Sequence, residues 1–79
     1  MIYKARSCVL DWYADHGLTD IKIDDIYVVW FSKTLQNWKA LVSTTIPDHR
    51  YFEVTCNGDK NEIYLDAYEK VENKVIAYK

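Results

Sequence analysis

The residues that could do chemistry in this chain are few. Cys8 and Cys56 are its cysteines, His16 and His49 its histidines, and Asp48-His49-Arg50 is the one place where a proton-moving cluster forms locally. Histidine titrates near neutrality, and a neighbouring aspartate could orient its ring for acid–base work. Adjacent residues on a tight turn seldom aim at a common substrate, however, and Pro47-Asp48 is ordinary turn chemistry. The turn reading is therefore preferred. No CxxC, HxH or HExxH spacing occurs, so no metal is expected. Asp20, Asp24 and Asp25 lack the alternating oxygen ligands, the glycine and the closing glutamate of a calcium loop. Cys8 falls on an apolar helical stripe and Cys56 on an apolar strand face, where a thiol is inert. No glycine-rich phosphate loop is present. These absences point away from an enzyme and from any cofactor.

The elements that must position such residues are clearer. Ile2, Ala5, Cys8, Val9, Trp12 and Tyr13 recur at three- and four-residue spacing, which predicts a helix over residues 1–16 with Gly17 as its left-handed cap and Leu18 as the hydrophobic follower. Thr19 to Asp25 reads as a polar connector. Three β-rich runs follow: Ile26 to Leu35, Trp38 to Thr45 and Tyr51 to Asn57. A two-residue loop at Gln36-Asn37 sets Tyr27, Val29, Phe31, Lys33 and Leu35 beside Ile46, Thr44, Val42, Ala40 and Trp38 on one face. A loop over Ile46-Pro-Asp-His-Arg50 adds Phe52, Val54 and Cys56 to it. Phe31, Val42 and Val54 should then be nearly inaccessible. The opposite face carries Trp30, Leu41 and Tyr51 among Ser43, Glu53 and Lys39.

Two signals compete beyond Asn57. Asn57-Gly58 favours a hairpin into a fourth strand. Asp59-Lys-Asn-Glu62 has the spacing of a capping box, and Ile63, Tyr64, Ala67, Tyr68 and Val71 follow at helical intervals with Asn73 as a stop. The length of that pattern favours a helix over 60–73. Val75 to Lys79 reads as a short apolar tail that could add an edge strand. The expectation is thus an α+β domain spanning 1–79: a three-stranded antiparallel meander with a helix before and a helix after, α-β-β-β-α, both helices on one sheet face.

Composition bounds the rest. At 79 residues, 49% of them hydrophobic and 15% aromatic, the chain is one small folded unit. Two cysteines are too few for a disulfide scaffold, no apolar run approaches 18 residues, and the N-terminus lacks the core of a signal peptide, so a cytoplasmic protein is expected. The predicted topology resembles the double-stranded-RNA-binding domain, an analogy of fold alone. Nucleic acid binding is the alternative reading, but a net charge of −2 and the acidic turn Asp59-Lys-Asn-Glu62 oppose it.

Asp25-Ile-Tyr-Val-Val-Trp-Phe-Ser-Lys-Thr-Leu-Gln-Asn-Trp-Lys-Ala-Leu-Val-Ser-Thr-Thr45, Tyr51-Phe-Glu-Val-Thr-Cys-Asn-Gly-Asp-Lys60 and Tyr64-Leu-Asp-Ala-Tyr68 together resemble a family of short uncharacterised proteins of phages and prophages of Gram-positive bacteria. The likeness spans Asp25 to Asn73, while the first helix matches only in character. It implies context, a protein made in the bacterial host cytoplasm, and carries over no functional residue. The function expected is a non-enzymatic module that meets a host or phage protein, or a second copy of itself, through the Trp30, Leu41 and Tyr51 face. Against this, the sheet could curl or the tail could cover the patch.

Overall fold

Ala5, Val9 and Tyr13 lie on one line of a helix, and all three are fully buried in α1 (Ile2–Asp15). The computed structural model describes residues 1–78. Gly17, at φ 85°, closes α1 as its sequence position requires: its N–H donates to the Ala14 carbonyl and that of Leu18 to the Tyr13 carbonyl, at 3.1 and 2.9 Å. The polar connector ends in a single 3-10 turn (Ile23–Asp25). There Arg6 ties helix to sheet, Nε donating to the Ile26 carbonyl and Nη2 to that of Ile23, each at 2.7 Å.

The sheet has four antiparallel strands in sequence order: β1 (Ile26–Thr34), β2 (Asn37–Thr44), β3 (Arg50–Asn57) and β4 (Glu62–Glu69). The helix expected over 60–73 is absent, and the architecture is α-β-β-β-β. In β4, Ile63, Leu65 and Ala67 pair with Cys56, Val54 and Phe52, while Tyr64, Asp66 and Tyr68 alternate to the other side. The helical reading required Tyr64 and Tyr68 to be core residues. Counted as surface residues they fit a period of two, and eight ladder positions against β3 satisfy a backbone that a short isolated helix would leave marginal. With no second helix, the likeness to the double-stranded-RNA-binding topology lapses.

β1 also departs from expectation. Thr34 pairs with Asn37, so the turn is Leu35-Gln36, with Leu35 at φ 55°, rather than Gln36-Asn37. A shift of two positions keeps the faces but changes the partners: Phe31 and Lys33 oppose Ala40 and Trp38 instead of Val42 and Ala40. Between Val28 and Trp30, however, the register slips by one residue. This bulge at Val29 puts Ile26 and Val28, not Tyr27 and Val29, on the face shared with Thr44 and Val42. β2 and β3 keep the expected face in a register displaced by two: Val42 opposes Phe52, Ala40 Val54, and Trp38 Cys56.

α1 lies across this face. The core is Ala5, Val9, Tyr13, Ile26, Trp38, Ala40, Val42, Phe52 and Val54. Phe52 is its centre, with Trp12 and Tyr13 ring centroids 5.1 and 5.4 Å away, both edge-on. Val42 and Val54 are inaccessible as expected. Phe31 is only half-buried, because it borders an open hollow between Ile2, Arg6 and β1, with the Trp38 ring tilted against it at 5.8 Å.

Turns are fastened at both ends of the sheet. Gly58 N–H donates to Asn37 Oδ1 at 2.9 Å, Gln36 bonds Asp59, and a Cβ at Gly58 would overlap the Gln36 carbonyl oxygen. Glycine is needed here for close approach. At the other end Tyr13 donates to Asp48 at 2.7 Å. Beyond β4, Lys70 N–H reaches the His49 carbonyl at 2.6 Å, but residues 71–78 join no strand and Val71 is 95% exposed. The edge strand expected from Val75 onward is not formed by Val75–Tyr78, and Lys79 lies outside the described residues.

Candidate functional site

Among the described residues no helix or strand packs on the sheet face away from α1, and its side chains follow from the ladder. Trp30 of β1 opposes Leu41 of β2, Leu41 opposes Glu53 of β3, and Glu53 opposes Asp66 of β4. A second row runs Ser32, Lys39, Thr55, Tyr64. A third holds Tyr27 opposite Ser43, and Tyr51 opposite Tyr68. The rings of Tyr51 and Tyr68 stack at 5.0 Å with 15° between planes. All six residues singled out in the sequence, Trp30, Leu41, Tyr51, Ser43, Glu53 and Lys39, share this face.

Burial grades across the face. Trp30 is 52% exposed, Tyr51 36%, and Leu41, Ser43, Glu53 and Lys39 are half-buried among their cross-strand neighbours. Lys39 Nζ lies 3.3 Å from Glu53 Oε1. Tyr27, Val29, Leu41, Ser43 and Tyr51 line a hollow of about 360 Å³, rimmed by Lys70 where the chain leaves β4.

Tyr27, Tyr64 and Tyr68 join the face without having been singled out. Tyr27 arrives through the bulge, and the other two through β4. The latent signal for the second pair was Glu62-Ile-Tyr-Leu-Asp-Ala-Tyr-Glu69, which alternates once tyrosine is read as a surface residue. Both phenols hold their protons more tightly than usual, Tyr64 through its hydrogen bond to the Glu62 carboxylate and Tyr68 chiefly through the nearby charge of Glu53. They remain protonated O–H groups at neutral pH. Against Lys39, paired with Glu53, and Lys70 at the rim stand Glu53, Glu62 and Asp66, so the face carries a slight excess of negative charge. It offers flat apolar rings with hydroxyl edges beside the carboxylates of β4.

The other clusters are structural. Asp48 Oδ2 accepts from Tyr13 at 2.7 Å and from Arg50 Nη1 at 3.2 Å, while its Oδ1 accepts the Arg50 N–H. The guanidinium of Arg50 in turn lies over Trp12, 5.4 Å from the ring centroid. His49, at φ 61°, is exposed in this turn, and Asp48 hydrogen-bonds to Tyr13 and Arg50. Burial pushes the phenol of Tyr13 up to about 12, the Asp48 bond adding to it. Cys8 and Cys56 are free and half-buried, and desolvation raises the thiol of Cys8, which disfavours the reactive thiolate. Among the described residues no three of His, Cys, Asp and Glu converge on a metal position. Among the described residues no helix is long and apolar enough to cross a membrane.

Residues 2–78 match the model of DUF6275, described as a family of unknown function. The chain belongs to that family. No curated protein and no solved structure matches it. The DUF6275 match takes in α1, all four strands and the tail to Tyr78, so the uncovered face is part of the family's own domain.

Proposed function

We propose that this DUF6275 chain is a small non-enzymatic binding module whose uncovered sheet face docks a protein, in the setting its likeness to phage and prophage proteins implies, the cytoplasm of a bacterial host. One observation carries the reading: Tyr27, Trp30, Leu41, Tyr51, Tyr64 and Tyr68 are gathered on a face that the domain does not use to hold itself together. Tryptophan and tyrosine are the residues most enriched at energetic centres of interfaces. The carboxylates of Glu53, Glu62 and Asp66 set the partner's chemistry: apolar side chains ringed by lysine or arginine. The same carboxylates repel phosphates, so a nucleic acid is disfavoured.

The test is capture from host lysate on immobilised wild-type protein and on Trp30→Ala. A protein retained by the first and released by the second, with affinity lowered by roughly 2 kcal/mol or more, supports the reading. Retention that ignores Trp30→Ala, or of nucleic acid with a steep salt dependence, overturns it.

A further inference from the structure

β4 is an edge strand whose protection is limited to three carboxylates, Glu62, Asp66 and Glu69. Its eight residues contain no proline, lysine, glycine or bulge, and its outer backbone edge pairs with nothing among the described residues. β1, the opposite edge, has its Val29 bulge and Lys33. α1 also stops short of β4. Ile63 is 38% exposed, Leu65 only half-buried and Ala67 exposed, beside a groove of about 370 Å³ bounded by Cys8 and Trp12.

We infer that two copies of this chain join through β4, antiparallel about a two-fold axis, into one eight-stranded sheet. An axis normal to the sheet keeps like faces together, so each residue must face one of its own parity. Setting Leu65 on the axis places Ile63 opposite Ala67 on the helix side, with Tyr64 opposite Asp66 and Glu62 opposite Tyr68 on the open side. Each of these pairs is apolar with apolar or phenol with carboxylate, and Glu69 falls opposite Asn61, just outside the strand. The neighbouring allowed register, centred on Asp66, would set two carboxylates against each other. Pairing extends the helix-side apolar surface across the axis, where Leu65 meets its copy. It also joins the two aromatic faces, and the β1 edges left outside are the protected ones, so growth stops at two.

This interface is distinct from the docking face proposed above, and sedimentation velocity over a concentration series separates them. Wild-type protein should approach twice 9.4 kDa. Ile63→Glu and Ala67→Lys alter exposed side chains, and circular dichroism melts would verify their folds. Each alone should raise the concentration of half-association by roughly tenfold or more. Together they should recover it, because the register sets the two new charges opposite each other. Trp30→Ala should leave the dimer intact. A single-chain mass throughout, a dimer indifferent to both single changes, or no recovery in the double variant overturns the proposal. A dimer lost in Trp30→Ala alone does so as well, and would place the second copy on the aromatic face.

Discussion

The two faces of this sheet are built from the same four strands and nearly the same residue types, yet they do opposite things. On one, α1 lies over Val42, Phe52 and Val54 and leaves them inaccessible. On the other, Trp30, Tyr51 and Tyr68 offer comparable apolar area to solvent. Hydrophobicity alone does not separate them. What separates them is parity along each strand, together with a single helix that lies over the middle of one side.

That contrast can be broken from the covered side first. Phe52→Ala should cost about 3–5 kcal/mol, enough to abolish a cooperative thermal melt in most domains this small. A folded Phe52→Ala protein would mean that the core lies elsewhere. Tyr13→Phe is next. It removes the donor to Asp48 and should cost about 1–2 kcal/mol. It also carries a pH signature. Unfolded tyrosine ionises near 10, whereas Tyr13 in the fold is pushed up to about 12. The folded state therefore holds the proton more tightly, and its contribution is complete below pH 10 and lost as pH rises through about 12. Denaturant midpoints followed from pH 9 upward (roughly one unit below the free phenol) should fall more steeply in wild type than in Tyr13→Phe.

A smaller effect is expected where intuition predicts a large one. Removing one residue from a strand ordinarily turns every following side chain to the other face. Deleting Val29 should instead leave a cooperative melt, because Val28 and Trp30 already stand on opposite faces and the deletion restores plain alternation. If that deletion unfolds the chain, the bulge is needed for the strand's curvature rather than being a spare residue. Smallest of all, Trp30→Ala should shift stability by only about 0.5 kcal/mol. A larger loss would make the uncovered face part of the core.

Much of the covered face was legible because its signals agree at every scale. Ala5, Val9 and Tyr13 repeat at four, Gly17 follows where a cap belongs, and Phe52, Val54 and Cys56 alternate without interruption. β1 was harder to read. Val28 and Val29 are chemically alike, so no residue type marks where alternation slips, and Tyr27 went to the wrong side with it. β4 failed for a different reason. Tyrosine is both apolar and wet, so Tyr64 and Tyr68 satisfied a helical stripe as well as the outer face of a strand. The length of that pattern, longer than a typical strand, then favoured the helix. The uncovered face was accordingly half visible: Trp30, Leu41 and Tyr51 were placed by parity in well-behaved stretches, whereas Tyr64 and Tyr68 depended on the strand that was misread.

The contact of Gly58 with Gln36 and Asn37 has a kinetic meaning. Each hairpin of the meander closes between sequence neighbours, on a timescale of roughly microseconds. The two turn tips can meet only after both hairpins stand side by side, so their contact belongs to the descent beyond the folding barrier. Gly58→Ala, which must force the tips apart, would then speed unfolding while leaving the refolding rate nearly unchanged. The contact is a latch on the finished sheet, and it sets how long a folded molecule lasts more than how quickly one is made.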